Sequence, residues 1–327
     1  MKITTTTSVL LLGLLASCGE SGEGESHAGY SLSGRVAIDG SSTVFPITEA
    51  VAEEYRSIQP NVRITVGVSG TGGGFKKFIA GEIDISDASR YIKGKELDGC
   101  SEIGREFMEI PVAYDGLAVV VNKANSFATT MTVDELKRMW SSDSTAKTWR
   151  DIRAEWPDRE FQLFAPGQDS GTFDYFTETV NGKSGNCRSD VTFSEDDNVL
   201  VRGVVGDEDA IGFFGLAYYV ENAGELNSVG IDPGDGTAIG PSAETVEDGT
   251  YRPLSRPLFI YVSVEAAKRP EVDDFVRFYI QQARQLSSEV GYVSMPQSIY
   301  DSILTRYEER VTGSQTGKQG TVAELYR

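Results

Sequence analysis

Residues 67–90, GVSGTGGGFKKFIAGEIDISDASR, restrict the fold more than any other part of this chain. Five glycines lie between Gly67 and Gly74, with Ser69 and Thr71 among them. A residue without Cβ lets the backbone come close to a neighbour or a ligand. Phe75, Phe78 and Ile79 follow at helical spacing. A helix start presents free N–H groups and the positive end of the dipole, which together suit an anion. Residues 84–90 then run from a short apolar strand into hydroxyl, carboxylate and guanidinium groups. Taken alone, the glycines are equally a turn between strand and helix. The order strand, loop, helix, strand predicts an α/β sheet whose loops gather at one edge.

Two nucleotide motifs are absent from this segment. A Walker A loop needs Gly-Lys-Ser/Thr after its second glycine, but Phe75 separates Gly74 from Lys76. A dinucleotide fingerprint needs G-x-G-x-x-G, and Phe75 stands where its third glycine belongs.

The same layout recurs along the chain. A strand at 36–38 runs into DGSSTVFP, residues 39–46, and Ile47, Val51, Tyr55 and Ile58 follow at helical spacing. A strand at 62–68 leads into the glycine-rich loop, and another covers 83–85. A strand at 161–164 leads into APGQDSGTFDYF, with Phe173, Phe176 and Val180 behind it. One such hydroxyl-rich helix entry is ordinary capping. Three of them, with Ser89 and Arg90 at the end of a further strand, point to one shared anion.

Between these stretches, residues 110–122 form an extended run too long for an ordinary strand, suited to crossing between domains. Thr132 and Glu135 form a capping box that opens a helix to Trp140. Residues 148–156 read as a surface segment, 199–205 as a short helix and 210–215 as a buried strand. Residues 226–251 read as loop, and 258–262 as a second crossing strand. Two amphipathic helices close the chain, one carrying Val272, Phe275, Val276, Tyr279 and Ile280, the other Ile299, Ile303 and Tyr307.

At 327 residues the chain has room for about two domains. Its net charge of −19 argues against nucleic acid or an anionic membrane surface as partner. A small anion is not excluded, because local amides and hydroxyls bind one whatever the global charge. Lys2 and the apolar run at 9–16 read as an export signal too short to span a bilayer. The signal ends in Leu15-Ala16-Ser17-Cys18, which resembles a bacterial lipobox and makes Cys18 the expected lipidation site. Residues 19–34, rich in Gly, Ser and Glu, read as a flexible tether. Cys100 and Cys187 would then lie in an oxidising compartment, where a disulfide and two free thiols are both open readings. The only histidine is His27, in the tether, so neither a Ser-His-Asp triad nor a His-rich metal site can form.

Six stretches together, DGSSTVFP (39–46), SGTGGGF (69–75), GEIDISDASR (81–90), VAYDGLAVVVN (112–122), DSGTFDYF (169–176) and AIGFFG (210–215), resemble the PstS-type phosphate-binding proteins of bacterial phosphate ABC transporters. They stand in family order over roughly residues 36–300. The resemblance implies a two-lobed periplasmic-binding-protein fold of type II, α/β, with two crossing strands and the ligand in the cleft. The first lobe would comprise residues 35–112 and 258–327, the second 113–257. It implies inorganic phosphate as ligand and membrane-embedded ABC permease subunits as partners. A monomer lipid-anchored to a membrane through Cys18, in the periplasm or at the cell surface, with no cofactor, no metal and no catalytic role, completes the expectation.

Residue by residue, the family's first phosphate loop matches Ser42, Thr43 and Val44, the second Thr71, the third Ser89 and Arg90, and the fourth Ser170, Gly171 and Thr172. Two departures stand out. Some members carry an Arg four positions before the Ser of the fourth loop, where this chain has Pro166, so Arg90 becomes the expected guanidinium. Those members also place, at the position of Ser89, an Asp that accepts a proton from phosphate and so rejects sulfate. Asp115 is the first candidate to replace it, then Asp169 and Asp87. A binder of sulfate or molybdate, a secreted phosphate-ester hydrolase using Ser42, Ser170 or Thr71, and a sensor or adhesion subunit are the alternative functions.

Overall fold

The computed structural model describes residues 31–326 apart from Asp169, Glu195 and Gln319. The chain opens with β1 (Gly34–Gly40), α1 (Phe45–Ile58), β2 (Val62–Val68), α2 (Gly70–Ala80), β3 (Ile85–Ala88) and α3 (Gly94–Glu102). Pro46 sits in the first turn of α1, where its missing N–H costs nothing. The extended run becomes β4 (Phe107–Asn122), 16 residues long and buried throughout. Next come β5 (Thr130–Thr132), α4 (Val133–Trp140), α5 (Trp149–Ile152), β6 (Gln162–Pro166), α6 (Gly171–Asn181), β7 (Thr192–Ser194), α7 (Asp197–Gly206) and β8 (Ala210–Gly215). Shorter elements follow: α8 (Leu216–Glu221), β9 (Leu226–Ser228), β10 (Gly230–Asp232) and α9 (Ala243–Glu247). Then β11 (Ser255–Ser263) returns, and α10 (Pro270–Glu289), α11 (Gln297–Glu308) and α12 (Val322–Leu325) end the chain.

The main sheet has the strand order β2-β1-β3-β11-β4-β8-β6-β7, with β9 added beside β4. At one end β1 runs parallel to β2 and β3; at the other β6 runs parallel to β7 and β8. Between them β11 is antiparallel to both β3 and β4, and β4 is antiparallel to β8. The two antiparallel strands therefore join two parallel ends. In the middle of the sheet β4 is buried along its whole length and β8 nearly so, as strands covered on both faces are, whereas the edge strand β2 is partly exposed. Near the first end Tyr55 of α1 meets Phe275 and Phe278 of α10 at ring distances of 5.2 and 5.3 Å. Near the second, Phe176 of α6 stacks on Phe213 of β8 at 3.7 Å, and Trp140 lies edge-on to both.

Several sequence expectations change. The glycine-rich stretch is helical from Gly70 onward; Ser69 stands at the N-cap position but gives its hydroxyl to Asp39 and leaves the first helical amides uncapped by its side chain. Close packing needs these glycines: a Cβ on Gly74 would fall 2.7 Å from the Gly40 Cα and from Ser86 Oγ. The strand predicted at 83–85 is β3, two residues later. Residues 148–156 are not a surface segment, because Trp149 and Trp156 are both buried and meet edge to face. Residues 226–251 hold β9, β10 and α9 where a loop was expected. Both Cys100 and Cys187 are free thiols. Among the described residues no helix is long and apolar enough to cross a membrane. The export signal, Cys18 and most of the tether lie outside the described residues.

Candidate anion-binding cavity

Parallel strands send their C-terminal loops to the same edge. The loops after β1, β2 and β3 therefore meet, and the loop after β6 faces them. Between them is a cavity of about 600 Å³. Its walls include Ser41, Ser42 and Thr43 from the first loop, Thr71 from α2, and Ser89 and Arg90 after β3. Gly171 and Tyr175 come from α6, and Arg256 from β11. A larger hollow of about 780 Å³ lies along α4 and gathers none of these loops.

The first loop is built around Thr43. Its amide donates to Ser41 Oγ at 3.2 Å, and Tyr292 donates its hydroxyl to the Thr43 carbonyl at 2.6 Å. The Ser41 amide donates to the Asp87 carbonyl at 3.0 Å, tying the loop to β3. Gly171 packs against Thr43 so closely that a Cβ there would lie 2.7 Å from Thr43 Oγ1 and 3.0 Å from its Cα. Thr71 and Ser89 share one corner: the Ser89 amide donates to Thr71 Oγ1, and the two hydroxyls lie 3.2 Å apart. Ser170 caps α6 by accepting from the Thr172 amide at 3.2 Å. Two helix starts with their free amides, those of α1 and α6, thus approach the same space.

The cavity brings together Ser42, Thr43, Thr71, Ser89, Arg90 and Gly171. Val44 caps α1 with its side chain fully buried, so only its backbone can serve a ligand. Ser170 and Thr172 are half-buried beside Gly171 and are not part of the cavity wall. The charged candidates have other partners. Arg90 donates from Nη1 and Nη2 to both oxygens of Glu96 at 2.9 and 2.8 Å, and from Nη1 to the Tyr91 carbonyl at 3.0 Å. Although burial pushes the Glu96 carboxyl up, Arg90 and the backbone hold it below its ordinary range. Asp115 does not reach the wall; it is buried against Arg256. Burial pushes its carboxyl up, and the Arg256 guanidinium offsets part of that. Asp87 lies wholly buried behind the first loop, where burial pushes it up to about 8, with Thr48 lowering it and the Asp39 charge adding to it. Asp169 lies outside the described residues.

Sequence reasoning missed Arg256. Its signal, an Arg opposite an Asp in neighbouring strands, becomes legible only once β11 is paired with β4. Asp174 and Glu178 of α6, and Lys93 at the start of α3, also line the cavity and were not singled out.

A family profile described as a PBP superfamily domain matches residues 25–283. Protein SphX of Synechococcus elongatus is 50% identical over 281 residues, which is 85% of this chain and 83% of that protein. The phosphate-binding protein PstS of Staphylococcus saprophyticus is 37% identical over 296 residues, 90% of each chain. The chain belongs to the PBP superfamily, among the PstS proteins. A crystal structure described as a possible phosphate binding protein from Planctomyces limnophilus superposes with a TM-score of 0.83 at 49% identity, over 86% of this chain and all of that one. An ABC-type phosphate transport receptor from Vibrio cholerae shares the fold at 22% identity, TM-score 0.62, over 80% of this chain.

Proposed function

We propose that this protein is an extracytoplasmic solute-binding lipoprotein that captures inorganic phosphate and delivers it to an ABC permease. The observation that carries the reading is the meeting of four separately encoded loops, each rich in hydroxyls or helix-start amides, in one cavity. Phosphate sheds its water shell on entering such a site, and neutral dipoles at helix starts replace those hydrogen bonds. Ser42, Thr43 and the Val44 amide would bind from the first loop, Thr71 and Ser89 from one corner, and Ser170, Gly171 and Thr172 from the entry to α6, where Gly171 lines the cavity and its two neighbours stand just behind the wall. The relatives' names, phosphate-binding protein among them, support phosphate over other oxyanions.

In this reading residues 35–112 and 258–327 form one lobe and 113–257 the other, and β4 and β11 carry the hinge. Cys18 carries the lipid, the tether lets the domain stand off the membrane, and the protein acts as a monomer without catalysis. Support comes from the small residues that precede Cys18 after an apolar run. A hydrolase would need an activated nucleophile; the hydroxyls of Thr71 and Ser89 lie within hydrogen-bond distance of each other, and among the described residues neither is hydrogen-bonded to a carboxylate or an amine.

Calorimetric titration of ligand-stripped protein with phosphate, sulfate and arsenate, at pH 5 and pH 8, tests the reading. Phosphate heat without sulfate heat is expected. Equal sulfate binding would make the protein a general oxyanion binder, and no heat with any of the three would remove the function while leaving the fold.

A further inference from the structure

Arg256 stands where four parts of the fold meet. It projects from β11 opposite Asp115 of β4 in the strand register. Its Nε and Nη2 donate to Asp115 Oδ2 at 3.3 and 3.2 Å. Nη2 also donates to Thr43 Oγ1 at 2.9 Å, in the first loop. Its guanidinium carbon lies 3.6 Å from the ring centroid of Tyr175, on α6. The group is therefore fixed on one face by an aromatic ring and along one edge by a carboxylate. It also lines the cavity, and its Nη1 has no hydrogen-bond partner among the described residues.

Arg90 presents the opposite case. Its two terminal nitrogens are taken by a bidentate carboxylate, and a fork already paired in this way has little left to offer a second anion. Charge balance favours Arg256 as well. A lone buried guanidinium is costly to desolvate, and Asp115 offsets that cost while leaving part of the donor fork unpaired.

We propose that Arg256 is the cation that contacts the bound oxyanion, and that Asp115 and Tyr175 are positioning residues that hold it for that contact. The proposal rests on the phosphate-carrier reading and deepens it. Because Arg256 sits on a strand that joins the two ends of the sheet and touches both the first loop and α6, it senses the cavity from both sides. Arg90 then serves the fold, anchoring the turn after β3 to α3 through Glu96.

The test is the dissociation constant for inorganic phosphate of the full chain, stripped of ligand, with melting curves for every variant. Arg256→Gln should weaken binding by roughly 100-fold or more, the loss of charge-assisted hydrogen bonds. Arg256→Lys should weaken it by at least about tenfold although the charge is kept, because an ammonium supplies neither the planar fork nor the stacking face. Arg90→Gln should cost less than about tenfold. Asp115→Asn should weaken binding and Asp115→Glu should recover most of it. If the wild type fails to bind phosphate, the carrier reading fails and this proposal with it. If the wild type binds and both Arg256 variants match it, or Arg90→Gln costs more than Arg256→Gln, only the proposal is overturned. Should Arg256→Gln not fold, Arg256→Lys decides. An Asp115→Glu protein that folds yet binds no better than Asp115→Asn would remove Asp115 from the positioning role.

Discussion

Replacing Asp87 with Asn should change how stability depends on pH. Asp87 lies on β3 beneath the first loop and is completely buried. Its carboxyl has one strong partner: Thr48 Oγ1 donates to Oδ2 at 2.9 Å, and the same hydroxyl lies 3.0 Å from the Tyr279 hydroxyl. The other oxygen, Oδ1, has no hydrogen bond among the described residues. A carboxylate with one unmatched buried oxygen is unfavourable, so the group keeps its proton up to about pH 8. An unfolded Asp loses its proton near pH 4. Between those values the folded state holds a proton that the unfolded state has released, so stability falls as pH rises. The slope is roughly 1.4 kcal/mol per pH unit, which accumulates to about 4 kcal/mol between pH 5 and pH 8. Glu96, Glu135 and Asp273, held low despite their burial, contribute with the opposite sign but below this window. Asp115, which burial also pushes up, acts in the same direction as Asp87 and is present in both proteins. Urea unfolding of wild type and Asp87→Asn at pH 5, 6, 7 and 8, in phosphate-free buffer so that ligand linkage does not intrude, gives the two slopes. The variant should gain on the wild type by a few kcal/mol as pH rises. Parallel slopes would show that Asp87 is ionised throughout and refute the reasoning.

Gly171→Ala should place a methyl group 2.7 Å from Thr43 Oγ1; such overpacking costs about 1–3 kcal/mol, so phosphate affinity measured by calorimetry should fall roughly 10- to 100-fold. Phe176→Ala removes the ring stacked at 3.7 Å on Phe213 and should lower stability in urea by about 3–5 kcal/mol. Glu109 is a buried carboxylate that accepts from the Tyr261 hydroxyl at 2.7 Å, the Gln315 amide at 2.7 Å, the Tyr326 hydroxyl at 2.5 Å and the Ser314 hydroxyl. Glu109→Gln should cost about 1–3 kcal/mol and speed proteolytic cleavage within residues 312–326; an unchanged digestion pattern would mean that the C-terminal segment is held by its apolar contacts alone.

Local signals carried much of the fold. The strands at 62–68 and 210–215 match β2 and β8 to the residue, because each is a short run rich in β-branched or aromatic residues bounded by turn residues. The capping box at Thr132 and Glu135 opens α4, with the Glu135 amide donating to Thr132 Oγ1 at 3.1 Å and the Thr132 amide to Glu135 Oε2 at 2.8 Å. Partners far apart in sequence defeated the reading elsewhere. Trp149 and Trp156 looked exposed among charged neighbours, but Phe127 and Phe161 arrive from either side, and Arg153 lies flat over Trp156 at 4.4 Å. The strands β5 and β10 are three residues each and depend on pairing with one another, with Ile231 of β10 also bridged to Ile239. The four loops were legible because hydroxyls and glycines at helix starts form a local pattern. The cation was not, because Arg256 meets Asp115 across 141 positions and strand register is not written locally. Arg90 was matched to the family's third loop and Asp115 put forward in place of the acid absent at Ser89, and each turned out to hold a charge of the opposite sign.

A crystal structure of the ligand-free protein soaked with phosphate measures the central claim directly. The account predicts one tetrahedral anion between the first loop and the start of α6, within hydrogen-bond distance of Thr43, Ser89, Gly171 and Arg256. Density at another place, or a cavity that stays filled by water at saturating phosphate, would contradict it.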